Sequence, residues 1–144
     1  MVEPLPLSET HVPTGEPPAD LESSSAAVRA AFMGLVAPDV DDDLDFVQRG
    51  EGLGECLRAT RRTPTLQHVG RQVITEVLFL NETSAVVRWT VELLGGPRPH
   101  DVSTFVLEGR AVRQDGRWLI ERGTFCELVG RVGVRCPPLR PDTR

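Results

Sequence analysis

Downstream of the turn signal Thr63-Pro64 the apolar residues stop recurring at helical spacing and begin to alternate, segment after segment. No other feature of the chain constrains its fold as much. Val73 to Asn81, Ser84 to Leu94, Val102 to Arg113 and a run beginning at Arg117 each read as a strand. The connections are rich in turn formers: Asn81-Glu82-Thr83, Gly95 to Pro99, and Gln114-Asp115-Gly116, the last a hairpin signal. Long strands joined in this way pair as antiparallel neighbours, and the apolar face of such a sheet needs a cover.

The cover is expected from the residues upstream. Ser23, Ser24 or Ser25 suits the N-cap of a first helix over AAVRAAFMGLV, which Pro38 ends. Asp39 to Asp43 place acids where they favour the start of a second helix, with Leu44 and Val47 on its buried side and Val40 a turn earlier. Gly50 is then a natural C-cap, and Gly52 to Thr60 reads as a third helix with Leu53 and Leu57 inward and Cys56 beside them. Three N-terminal helices followed by four antiparallel strands predict an α+β domain, the helices covering the apolar face of the sheet. Met1 to Ser24, with five prolines and five acids, reads as a disordered leader; 25–138 is the folded domain, and 139–144 a flexible tail after Pro137-Pro138.

Parity assigns the faces. Trp118, Ile120, Thr124 and Cys126 share one parity, so the last strand is expected to run from Arg117 through Cys126, with Leu128, Val129, Val132 and Val134 offered for burial beyond it. Ala85, Val87, Trp89, Val91 and Leu93 face one way in the second strand, and Phe105 and Leu107 do so in the third. The opposite set carries Arg88, Glu92, Glu108, Arg110 and Glu121, charge types suited to cross-strand pairs on an open face or to a polar contact with a second copy, a homodimer through the sheet.

Composition removes several function classes. The 144 residues carry 21 acids against 16 bases, every base an arginine, with no basic block beyond Arg61-Arg62, which argues against a nucleic-acid footprint. No run approaches the roughly 18–20 apolar residues that span a bilayer. Met1 to Asp20 lacks both the basic start and the apolar segment of an export signal, so the chain as written reads as cytoplasmic, and as extracytoplasmic if its N-terminus was trimmed. The Asp39–Asp45 cluster matches only the first offsets of a calcium loop and has Phe46 where the central glycine belongs. Neither a metal nor a cofactor is called for, since zinc-type spacings are missing.

Catalytic candidates are few. His100-Asp101 is the one adjacent pair of histidine and acid, His68 precedes the first strand, and Arg122 is the only ionisable group at an inner parity; no tyrosine exists to donate to an oxyanion. The inward set of Phe32, Trp89, Val91, Phe105, Leu107, Trp118 and Ile120 instead suits a pocket for a small apolar ligand, the plainer alternative being that these residues fill the core. A binding domain, for a small apolar ligand or a protein partner, is therefore the first reading. An acid–base enzyme using His100, Asp101 or His68 with Arg122 is the second, and an interaction module tethered by its leader the third.

The order of helices and strands resembles the nuclear-transport-factor-2-like (NTF2-like), or SnoaL-like, cone fold. The later motifs, DGRW at Asp115 to Trp118, TFCELV at Thr124 to Val129 and GVRCPP at Gly133 to Pro138, with Phe46 to Glu51 upstream, resemble the actinobacterial low-molecular-weight secreted antigen family. The resemblance covers roughly Ala26 to Pro138. It implies a cone-shaped domain with a cavity between helices and sheet, no catalytic set to carry over, and an exported or envelope-associated setting. Within that terminal motif Cys126 and Cys136 are the disulfide candidates, which leaves Cys56 unpaired.

Overall fold

A four-stranded antiparallel meander, in the spatial order β1-β2-β3-β4, forms the base of the domain. The strands are β1 Val69–Asn81, β2 Ser84–Leu94, β3 Val102–Gln114 and β4 Arg117–Ile120. Three helices accompany them: α1 Leu21–Met33, extended by a 3₁₀ turn over Gly34–Val36, α2 Gly54–Arg61 and α3 Arg122–Gly130. This computed structural model describes residues 13–37, 39–64, 69–94 and 102–138.

The alternation seen in the sequence forms the sheet. Trp89 pairs with Ile74 on one side and Leu107 on the other, and Val87 with Val77 and Gly109. Asp115 and Gly116 both adopt positive φ (52° and 79°), the backbone a tight β3–β4 hairpin requires, and glycine reaches it without strain. A register shift between Ile74 and Glu76 inserts one residue into β1. Gln72 and Ile74 therefore share the inner face with Val77 and Phe79 although their parity differs, the effect expected of a β-bulge.

The inner face is covered as the hydrophobic pattern demands. Val28, Ala31 and Phe32 of α1, Leu57 of α2, and Phe125 and Val129 of α3 are buried with Ala85, Val87, Trp89, Ala111, Trp118 and Ile120 of the sheet. Fully burying a side chain such as Phe125 or Ile120 contributes about 1.5–3 kcal/mol. Phe32 meets Trp89 with ring centroids 5.2 Å apart, and Phe79 meets Trp118 edge-on at 5.3 Å. On the opposite face Arg88 and Glu108 pair at 3.5 Å, but Val86 and Leu80 are buried there as well, so that face is not uniformly polar.

Three expectations are corrected. The helices are not all N-terminal: the second one, expected to start at Asp39 to Asp43 and to end at Gly50, does not form, and the third helix follows the sheet over Arg122–Gly130. Aspartates are weak helix formers that compete for backbone hydrogen bonds, and here Asp43 accepts the Gly52 N–H at 2.9 Å. Leu44 and Val47 are buried nonetheless, held by Leu44 N–H to Gly50 O at 3.0 Å and by a parallel bridge from Val47 to Ile120. The last strand is the second correction: it stops at Ile120, and Thr124 and Cys126 lie on α3. The third concerns the leader. Residues 21–24 are the first turn of α1, and upstream the Thr14 and Gly15 N–H groups donate to Leu80 O at 2.8 and 3.0 Å. Residues 1–12 and 139–144 lie outside the described residues.

Gly109 explains how α3 lies so close to the sheet. A Cβ at that position would stand 2.4 Å from Thr124 Cγ2 and 3.4 Å from the Trp89 ring, while Thr124 Oγ1 accepts the Arg110 N–H at 2.9 Å. At the other end of the domain, Arg113 donates to both carboxylate oxygens of Asp20 at 3.1 Å, tying the start of α1 to the end of β3.

Two outcomes follow. Gly109→Ala is expected to destabilise the domain by about 1–3 kcal/mol, and Thr124→Ser, which removes only the clashing methyl, to recover part of that loss in the double variant, as read from urea unfolding. The second concerns Asp20. The hydrogen bonds from Arg113, only partly opposed by desolvation, lower its carboxyl from the ordinary 3.8 to about 2. Because the folded-state value is depressed, the stabilisation is complete above the ordinary value and is lost as pH falls towards about 2. Thermal melts across that acid window are expected to show a drop that Asp20→Asn reduces.

Candidate functional site

The three helices and the sheet leave a cavity of about 280 Å³ between them. Its floor is the inner face, with Trp89 and Val91 from β2, Leu107 from β3 and, through the β1 bulge, Gln72. One wall is Leu57, Thr60 and Arg61, which stand at helical spacing on α2 and so face one way. The opposite wall is α3, through Phe125, Leu128 and Val129. Leu35 and Val36, in the turn that follows α1, complete the enclosure, and Phe32 and Ile74 line a smaller recess beside it.

Polar groups in this wall are few and specific. Thr60 Oγ1 donates to Cys56 O at 2.7 Å, which commits its hydrogen to the helix. The Gln72 side chain has no hydrogen-bond partner among the described residues. Arg61 donates to Leu35 O at 2.7 Å, and desolvation lowers its pKa. Arg131 stands at the rim, 3.7 Å from Glu127. Among the described lining residues there is no aspartate, glutamate, histidine, cysteine or serine. The described lining thus offers apolar contact with a few polar groups at its edges.

The residues singled out from the sequence are distributed unevenly around this cavity. Trp89, Val91 and Leu107 line it, and Phe32 lines the adjoining recess. Trp118 and Ile120 do not line it: both are buried in the core, Trp118 against Phe79 with the Arg113 guanidinium 5.8 Å above its ring, and Ile120 against the 44–50 loop. Phe105 is also outside, 49% exposed although it shares the inner face with Leu107, because it lies apart from the buried cluster beneath the helices. Arg122 starts α3 and donates to the carbonyls of Arg49 and Pro137, a structural tie remote from the lining. His68, His100 and Asp101 lie outside the described residues.

The cavity residues that parity missed are those on α3, together with Arg61 and Gln72. Phe125 and Val129 stand four apart, a helical signal that the competing parity of Thr124 and Cys126 obscured. Gln72 reaches the floor only because the bulge shifts its face.

Behind α3 the chain reverses, with Val134 N–H donating to Val129 O at 3.0 Å, and Cys136 returns to pair with Cys126, their Cα atoms 5.6 Å apart, a separation that suits a disulfide. Cys56 is the free cysteine, its sulfur 3.6 Å from Arg135 O. Among the described residues no helix is long and apolar enough to cross a membrane, and no cluster of metal-ligating side chains occurs.

Non-reducing purification is expected to leave one free thiol, at Cys56, with a peptide linkage between Cys126 and Cys136. Cys136→Ser is expected to lower stability by about 3 kcal/mol, the loop-entropy value for so short a closed loop; thiol counting by mass spectrometry and urea unfolding read the two effects.

No protein-family model matches the chain, and no curated protein matches it. Among solved structures the chain is similar to an NTF-2 like protein of unknown function from Shewanella oneidensis MR-1, at 21% sequence identity over 69% of this chain and 87% of that one, with a TM-score of 0.36.

Proposed function

We propose that this chain is a non-enzymatic binding domain of NTF2-like type whose cavity takes a small apolar ligand. The observation that carries the reading is the lining itself. A cavity of about 280 Å³ walled by Leu35, Leu57, Trp89, Val91, Leu107 and Phe125 is close to the lower end of the range used by small-molecule sites, roughly 300–1,000 Å³. The described wall supplies hydrophobic contact and a few fixed polar groups, which are the components of recognition rather than of proton transfer. The NTF2-like assignment is supported by three helices set against a four-stranded antiparallel meander, and by the DGRW, TFCELV and GVRCPP motifs.

The pairing of Cys126 with Cys136 supports placing the domain in an oxidising, exported or envelope-associated compartment, because such bonds persist poorly against cytosolic thiols. An acid–base reading finds no such support, since Arg122 is engaged with backbone carbonyls away from the cavity.

The test is titration with a neutral apolar dye such as N-phenylnaphthylamine. Saturable binding is expected, weakened roughly tenfold or more by Leu107→Trp, which fills the floor, and left unchanged by Phe105→Ser, which alters an exposed aromatic outside it. Dye binding insensitive to Leu107→Trp, in a variant shown by circular dichroism to be folded, would place the dye on the surface and contradict the reading.

A further inference from the structure

The arginines of α2 differ in one respect that bears on ligand class. Arg58 donates to Asp42 at 2.8 Å and to Glu55 at 3.2 Å, and Arg62 reaches Glu55 at 3.1 Å. Arg61, on the same helix, has no carboxylate within ion-pair distance among the described residues. Its one hydrogen bond there is to the carbonyl of Leu35. A carbonyl occupies only part of a guanidinium's donor set, and the side chain is partly desolvated where it lines the cavity.

A guanidinium stays charged at physiological pH even when burial disfavours it. An arginine set into an apolar wall without a counter-charge carries a desolvation penalty that a bound anion would offset through charge-assisted hydrogen bonds. The remaining lining is apolar except for Thr60, whose hydroxyl hydrogen is committed, the unpartnered Gln72 carboxamide, and Arg131 at the rim beside Glu127. Among the described residues that leaves one positive charge in the wall without a carboxylate partner, which matches one negative charge. A phosphate dianion would call for more donors than this wall presents.

We propose that the ligand of this cavity is an amphipathic monocarboxylate, its apolar body lying against Trp89, Val91, Leu107 and Phe125 and its carboxylate held by Arg61. This deepens the reading of the cavity as a ligand site and rests on it. At about 280 Å³ the cavity has room for on the order of ten water-sized groups at ~30 Å³ each, which sets the scale of the apolar body at a medium-length chain or a small ring system.

The experiment titrates the full chain with decanoate and, separately, with decanol, both below the concentrations at which they aggregate, followed by calorimetry. The two share an apolar body and differ in the charged head. Decanoate is expected to bind roughly tenfold to hundredfold more tightly than decanol, the range for a hydrogen-bonded charged group. Arg61→Met is expected to erase that margin, so that decanoate and decanol bind alike, and Arg61→Lys to restore part of it. Equal binding of decanoate and decanol to the unaltered protein overturns the monocarboxylate proposal and leaves the apolar site standing. Failure of both to bind overturns the site together with the proposal. A decanoate preference that survives Arg61→Met assigns the carboxylate to another group and overturns the role of Arg61. The comparison on the unaltered protein stands even if the variant fails to fold.

Discussion

The close approach of α3 to β3 at Gly109 is the contact on which the cavity depends. Helices packed on a sheet are normally held off by side chains on both surfaces; here the strand presents only a hydrogen at the crossing, and Thr124 fills the space. The same threonine accepts the Arg110 N–H, a hydrogen bond that replaces the next rung of the ladder once β4 has ended. With its start seated in this way, α3 turns Phe125 and Val129 onto Trp89 and leaves its remaining length to close one side of the cavity. Arg122 and the Cys126–Cys136 pair anchor the same helix from outside, the first to the 44–50 loop and the C-terminal segment, the second to that segment alone.

Electrostatics divides the molecule along α2. Its outward arginines, Arg58 and Arg62, are matched to acids on their own helix and, for Arg58, on the loop before it. That matching lets a loop dense in aspartates fold back without becoming a helix, since Arg58 also donates to Val40 O at 3.0 Å. Among the described residues, the inward arginine is matched only to a carbonyl. A surface ion pair contributes little to stability, so the arrangement bears less on how firmly α2 is held than on which charge faces the cavity.

The sheet was legible in the sequence because alternation is a strong signal over long strands and the Asp115-Gly116 turn has one favoured backbone. The inward face of β2, with Ala85, Val87, Trp89 and Val91, follows from that signal directly, whereas Phe105, at the inward parity of β3, is exposed. Short segments were less legible. In TFCELV the parity of Thr124 and Cys126 and the helical spacing of Phe125 and Val129 coexist, and the tertiary contact at Gly109 favours the helix. The loop over 39–50 misleads for a similar reason: its acids suit a helix start, but Asp43 accepts the Gly52 N–H just beyond the loop and Arg58 donates to Val40 O within it. Of the cavity, the floor residues Trp89, Val91 and Leu107 were readable by parity. Gln72 needed the bulge, and Arg61 needed the knowledge of which side of α2 met the sheet.

Residues 122–130 form one wall of the cavity, and solution NMR tests their placement directly. Helical secondary chemical shifts are expected across 122–130, with nuclear Overhauser contacts from the Thr124 methyl to the Gly109 α-protons and the Trp89 ring. Extended-chain shifts there, with cross-strand contacts continuing the β3–β4 ladder past Ile120, would contradict that placement and remove the wall on which the cavity depends.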